Sequence, residues 1–507
     1  MKILAVQLLR MGDILMTAPA LASLRLQHPD AEIHLLINRS CKKIASLLED
    51  VDRIHFFDRE LLQKSLGDPN QSLLLAHDQL AERVLEWSCE DYDLMINFTQ
   101  NRLSAHLCSV IKAKQKVGMH YSQSEMLQFN SFWLSQLNRE EAELADGRLH
   151  FSDLFQLATG TAQFVAGRLK AADSAATIHP GQLVIQATTS DPQKDFPEQV
   201  LREFLRQLDK KQSGIERIVL LGAPYEEARL KEILTGLEFS SLEIALECCS
   251  FSRAKQVIES SALMLTVDTS TKHIAGFTDT PIVELALGWS DRFRTGAYQD
   301  GALIVSSPVG NLSGESATEE GRSAGLCAEQ LSAIALVDIV LARITGREID
   351  RELVARADLK VEQVCFDAFG FWCLKPVVNS AYRELFELQI ARAKAQMRID
   401  ESTGFQVGHL SFLLKEFCAE SLPASVQLEF KRFLASRITN CRKEYRETER
   451  QLLEVDRQKL SPLAVIGPVI QITADRRRAF ELKASMKRTQ SELKLVESLD
   501  QQLMEYS

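Results

Sequence analysis

What most constrains this chain is an alternation that occurs twice. Short apolar runs, each the length of a buried strand, take turns with amphipathic helical segments. The runs are ILAVQLL (3–9), IHLLI (33–37), IHFF (54–57) and LMINF (94–98), then LVI (183–185), IVLL (218–221), MLTV (264–267) and IVEL (282–285). A parallel sheet requires this order, because each strand must return through a crossover helix before the next begins at the same end. A less regular stretch at 122–176 separates the two series and reads as helices and a linker. After about residue 345 the strand pattern fades into long charged sequence such as EFKRFLASRITNCRKEYRETERQLLEVDRQKL. The expectation is an α/β chain with one doubly wound domain over 1–170, a second over 171–345 and a mainly helical extension over 346–507.

Composition limits the setting. The chain has 507 residues, 45% hydrophobic and 25% charged, and lacks an apolar stretch long enough for a membrane span. A net charge of −10 argues against a general nucleic-acid binder. Ten cysteines without a CxxC pair suggest neither a zinc site nor a disulfide framework, and read as reduced thiols of the cytosol. Lys2, the first apolar run and Ala18-Pro19-Ala20 imitate a secretory signal, but Arg10 and Asp13 interrupt the run too early.

In sheets of this kind the functional groups lie in loops at the carboxyl ends of strands. The stretch LRMGDIL (9–15) puts Asp13 in the first such loop, as a turn over 10–13 before a helix over about 14–28. QATTSDPQKDFP (186–197) follows a strand and precedes a helix, so Thr188, Thr189 and Ser190 offer hydroxyls and N–H groups to an anion, and Lys194 a point charge. An ordinary loop explains the same residues. In LLGAPYEEARLKEIL (220–234), Glu226 and Glu227 stand in a first helical turn, where acids commonly complement the helix dipole. LTVDTSTKHIAG (265–276) ends a buried strand in Asp268, Thr269 and Ser270, with His273 one turn later; a helix cap and a structural histidine are the plain alternative. Neither GxGxxG nor GxxxxGK[ST] occurs, which disfavours a dinucleotide dehydrogenase or a P-loop NTPase.

Taken in order, four segments resemble the ADP-heptose:lipopolysaccharide heptosyltransferase family. They are LLRMGDILMTAPALASLR, YDLMINFTQNRLSAHL, QATTSDPQKDFP and VDTSTKHIAGFTDTPIVEL, and the resemblance spans roughly residues 1–345. It implies the GT-B fold, two facing doubly wound domains, with acceptor binding in the first and nucleotide-sugar binding in the second. It implies inverting transfer, Asp13 as general base, Thr188, Thr189 and Lys194 at the donor diphosphate, and Glu226 at the ribose. Asp268, Thr269, Ser270 and His273 match the signature that holds diphosphate and sugar. The ADP-sugar is then a co-substrate, with no further cofactor and no metal site.

Arg39, Lys42, Lys43 and Arg102, in or near first-domain loops, suit the phosphorylated or acidic sugars of a lipopolysaccharide core. Two departures stand out. Ser270 replaces the glycine of the family signature, and a backbone needing positive φ there would tolerate serine poorly. The extension is the second, and residues 431–507 carry 16 Lys/Arg against 11 Asp/Glu. Such a face is ordinarily solvated helix, and a basic one also suits an anionic membrane surface or a partner protein. The expected location is therefore cytoplasmic, peripheral at the inner face of the membrane. A catalytically degenerate GT-B scaffold and a GT-B enzyme of another reaction, such as an epimerase, are the competing readings.

Overall fold

The computed structural model describes residues 1–60, 73–122, 126–138, 149–161, 164–171, 177–211, 214–306, 331–366 and 370–378, with 439, 442, 443, 446, 447 and 450 beyond them. The first apolar series forms a sheet of β1 (Lys2–Gln7), β2 (Glu32–Asn38), β3 (Arg53–Phe57), β4 (Tyr92–Asn97), β5 (Ala113–Tyr121) and β6 (Leu127–Phe129), in the order β3-β2-β1-β4-β5-β6. All neighbours are parallel except β5 and β6. Strands covered on both faces can be apolar throughout, and Ile3, Leu4, Ala5 and Val6 are fully buried.

The second series builds a sheet of β7 (His179–Gln186), β8 (Arg217–Gly222), β9 (Glu243–Cys248), β10 (Ser261–Val267), β11 (Ile282–Leu285), β12 (Leu303–Ser306), β13 (Lys360–Phe366) and β14 (Trp372–Val378). Its order is β14-β13-β12-β11-β10-β7-β8-β9. β7 to β12 run parallel, and β13 and β14 are added antiparallel. Its core interleaves Leu183, Ile185 and Leu265 with Leu201, Phe204, Leu205 and Leu208, which recur at helical spacing along Glu198–Lys210.

Two expectations are corrected. The boundary at 345 falls inside the second domain, because β13 and β14 continue its sheet to residue 378. β13 carries buried, paired charge in place of an apolar run, with Arg292 Nε reaching Glu362 at 2.8 Å and Lys360 lying 3.3 Å from the same carboxylate, and β14 sets an exposed Lys375 beside Pro376. The helical character expected of 379–507 lies outside the described residues, apart from the six between 439 and 450. The helix expected over 14–28 is two helices, α1 (Met11–Met16) and α2 (Ala18–Gln27), since Pro19 supplies no N–H at the join. Asp13 therefore sits in the first turn of α1 rather than before it.

Each sheet has a reversal of strand order, at β1/β4 in the first and β7/β10 in the second. A crevice opens at such a point. The two domains are tied through helix Phe151–Ala158, which packs on α2. Ser23 Oγ donates to Gln156 Oε1 (3.0 Å), and from the second domain Tyr298 Oη donates to Asp153 Oδ1 (2.7 Å) and the Trp372 N–H to Asp153 Oδ2 (3.1 Å). His150, which caps this helix, donates from Nε2 to the carbonyl of Gly296 at 2.9 Å.

Candidate active site

The reversal points face each other. α1 packs on helix Ser270–Ala275, and the backbone comes close at Gly12, where a Cβ would stand 3.0 Å from Cδ2 and 3.1 Å from Nε2 of His273. The first loop of one domain thus meets the Asp-Thr-Ser segment of the other. Asp13, the third residue of α1, accepts the Arg10 N–H at 3.1 Å, so it does cap its own turn. Burial raises its pKa above the ordinary carboxylate range, the Arg10 N–H and charge pull it back, and the nearby Asp268 charge adds to the rise.

Asp268 is the hub. Its Oδ2 accepts from Lys194 Nζ and its Oδ1 from Lys272 Nζ, both at 2.6 Å. Burial works against its charge, but Lys272 and Lys194 together hold its carboxyl well below the usual range. Lys272 is fully buried and donates all three protons, to Asp268, to Glu284 Oε1 (2.8 Å) and to the Thr295 carbonyl (2.7 Å). Glu284 Oε2 in turn accepts the Ala297 N–H at 2.7 Å. A ladder of alternating sign results: Lys194, Asp268, Lys272, Glu284. Lys194 and Asp268 keep some exposure, while Lys272 and Glu284 are enclosed. His273 is buried, and burial followed by the Lys272 charge lowers its pKa well below the ordinary value, so its ring is neutral.

The donor loop after β7 is built largely by itself. Thr189 Oγ1 donates to the Asp191 carbonyl (2.6 Å) and the Thr189 N–H to Asp195 Oδ1 (2.6 Å), while Thr188 is buried with its oxygens toward Gln186 Nε2. These hydroxyls shape the turn that carries Lys194, and Lys194 is the member aimed at the cluster. Glu226 follows β8, next in the sheet to β7, and its Oε2 accepts the Ala223 N–H at 2.7 Å. Ser270 opens a helix after an extended Thr269, and among the described residues only Asp91 and Asp358 are non-glycine residues with positive φ. Serine is therefore unstrained there, which removes the main ground for reading the site as degenerate.

On the first domain, Arg39 and Arg102 follow β2 and β4, the strands flanking β1, and so border the Asp13 loop. Arg39 pairs with Asp58 (2.9 Å), and it and Lys42 both stand 5.6 Å from the Phe56 ring centroid. Lys42, Lys43 and Arg102 are exposed. Arg39 also lines a cavity of about 230 Å³ with Arg53, His55, Phe56, Arg83 and Trp87.

Sequence reasoning missed Lys272, Glu284 and Trp289. Lys272 lies inside the quoted signature, and its i,i+4 spacing from Asp268 was the available signal. Glu284 interrupts an otherwise apolar strand, IVEL, which was a second.

Two doubly wound domains whose carboxyl-end loops meet across a cleft define the GT-B fold. Residues 86–320 match the family model described as glycosyltransferase family 9 (heptosyltransferase). Lipopolysaccharide heptosyltransferase 1 of Salmonella typhimurium is 24% identical over 325 residues, which are 63% of this chain and 98% of that protein. Lipopolysaccharide heptosyltransferase 3 of Escherichia coli is 23% identical over 54% of this chain and 80% of its own. The crystal structure of the family 9 glycosyl transferase from Veillonella parvula superposes with a TM-score of 0.54 at 16% identity, covering 68% of this chain and 97% of that one.

Proposed function

We propose that the chain is an inverting heptosyltransferase, moving a heptose or closely similar sugar from an ADP-activated donor to a hydroxyl of a lipopolysaccharide core or related glycan. One observation carries the reading: the Asp13 turn meets the Lys194–Asp268–His273 group directly, through Gly12. The names of the curated relatives point to the same transfer. In this mechanism the acceptor hydroxyl gives its proton to the Asp13 carboxylate as its oxygen bonds to the anomeric carbon. The bond from that carbon to the phosphate oxygen breaks on the opposite face, and ADP leaves with the electron pair. Lys194 takes up charge on the departing diphosphate, inside a cleft where such an interaction is stronger than in water. The raised pKa of Asp13 makes it a better proton acceptor than an exposed carboxylate.

Glu226 is assigned to the ribose, Thr188, Thr189, Thr269 and Ser270 to the walls of the diphosphate pocket, and Arg39, Lys42, Lys43 and Arg102 to acidic groups of the acceptor. No metal or further cofactor enters the reading, because Lys194 supplies the positive charge. The protein is assigned to the cytoplasm, peripheral at the inner membrane face; among the described residues no helix is long and apolar enough to cross a membrane.

The test is incubation with ADP-heptose and a heptose-deficient core acceptor, following ADP release and product mass, with and without EDTA. Acceptor-dependent ADP release that persists in EDTA is expected. Folded protein that transfers from no ADP-sugar overturns the enzyme reading, and a strict need for Mg²⁺ or Mn²⁺ overturns the role given to Lys194.

A further inference from the structure

Lys194 has two partners, and only one is an anion. Besides its bond to Asp268, its ammonium stands 3.4 Å from the centroid of the Trp289 ring. Trp289 lies in the loop between β11 and helix Arg292–Thr295, and that loop is fitted closely to the donor turn. At Gly288, φ is +60° and a Cβ would stand 2.5 Å from the Gln193 carbonyl oxygen, so a side chain there would push the loop away from Lys194. The indole Nε1–H donates to Asp191 Oδ2 at 2.7 Å, while Asp191 Oδ1 accepts the Gln193 N–H at 3.1 Å. One carboxylate therefore caps the Pro192–Lys194 turn and fixes the ring on which that turn's lysine rests.

A second cation attends the same ring from the other domain: the Arg10 guanidinium carbon is 5.9 Å from its centroid. Trp87 and Trp372 are 2% and 0% exposed and fill the interior. Trp289 is half-buried, at the cleft, between a cation of each domain.

We propose that Trp289 is a positioning residue of the donor site: its indole face holds the Lys194 ammonium in the cleft and presents it to the diphosphate of an ADP-sugar. This rests on the donor reading given above. An aromatic face attracts an ammonium without neutralising it, so Lys194 keeps its full charge for phosphate oxygens. A second carboxylate in that place would hold the lysine equally well but compete with the ligand. A free lysine loses rotamer entropy when it is fixed, and a lysine already resting on the ring has lost most of it before the donor arrives. When the diphosphate replaces Asp268 Oδ2 as the partner of Lys194, Asp268 stays matched by Lys272 through Oδ1. The ring contact does not need to break. Because Arg10 shares the ring, the donor turn and the Asp13 turn are referred to one fixed plane.

Calorimetric titration of the full chain with ADP tests this, using Trp289→Phe, Trp289→Leu, Lys194→Met and the Lys194→Met/Trp289→Leu pair. Trp289→Leu is expected to weaken ADP binding about tenfold, and Trp289→Phe, which keeps the face and loses the N–H, about threefold. In the Lys194→Met background Trp289→Leu is expected to cost nothing further, because the ring acts through the lysine. If the leucine variant does not fold, the same cycle is read with phenylalanine. Wild-type affinity in the folded Trp289 variants, or a loss undiminished in the Lys194→Met background, overturns the inference alone. Wild type that binds neither ADP nor ADP-heptose overturns the donor reading and this inference with it.

Discussion

Gly12 and His273 touch across the two domains so closely that a single added carbon at Gly12 would stand 3.0 Å from the imidazole. The contact sets how far the Asp13 turn lies from the donor cluster. Gly12→Ala is expected to displace the ring or the turn by a few tenths of an ångström, lowering kcat/KM about tenfold, since misplacing reacting groups by about 1 Å can cost about 10²-fold. ADP affinity, read by calorimetry, should change much less. Wild-type turnover in the alanine variant would show that this approach does not govern the reaction.

Asp13→Asn keeps a side-chain acceptor for the Arg10 N–H and removes the proton acceptor. Transfer should fall about 10²-fold or more with folding and ADP binding kept. Because the wild-type pKa is raised by burial, the acid limb of its kcat/KM profile should lie above the ordinary carboxylate value of about 4. Residual activity of the asparagine variant should lack that limb. Equal rates for the two proteins would leave Asp13 a helix cap.

Three buried rings make the fold sensitive to acid. Burial, then the charge of His34, lowers His55 to about 4; burial, despite the bond to Gly296, lowers His150 to about 3; and His273 lies well below its ordinary value. In the unfolded chain each would titrate near about 6.5, so between these values the unfolded state binds more protons. Their contribution is complete above about pH 6.5 and is lost as pH falls toward the folded pKa values. Melting temperature should drop by several degrees from pH 7 to pH 5; a flat profile would mean that these rings are solvated.

A chain ended after residue 345 loses β13 and β14, and with them Glu362 opposite Arg292 and the Trp372 N–H and Nε1–H bonds to Asp153 and the Ala297 carbonyl. It should aggregate, because the edge of β12 is left without a partner strand and Arg292 loses the Glu362 carboxylate. Ending instead after residue 381, where the first compact unit stops, should keep ADP binding. Soluble, ADP-binding protein from the shorter chain would return the boundary to 345.

The difference between these two chains shows what the sequence could reveal. β1 and β8 were legible because a strand covered on both faces leaves an unbroken apolar run, and β2, β10 and β11 because a single polar residue leaves the rest of the run apolar. β13 and β14 were not, because KVEQVCF holds charges that are buried but paired and WCLKPVV sets an exposed lysine beside a proline. Asp13, Lys194, Asp268 and His273 were legible because they stand at strand ends, where polar residues interrupt apolar ones. Lys272 was passed over since a lysine after a strand ordinarily faces water. Trp289 gave no signal at all, because what makes it part of the site is a lysine 95 residues earlier that only the sheet order brings beside it.

The ladder from Lys194 to Glu284 also bears on how this site can change over generations. Lys272 and Glu284 are each almost wholly enclosed, and replacing Lys272 alone by an uncharged residue leaves Glu284 as an uncompensated ion in the interior, typically a loss of about 3–5 kcal/mol, whereas replacing Glu284 leaves Lys272 its bond to Asp268. Replacing both with matched apolar side chains can be nearly neutral. Among descendants of this chain Lys272 should therefore be lost only together with Glu284, while Asp268, between the two lysines, stays an acid so long as either lysine remains.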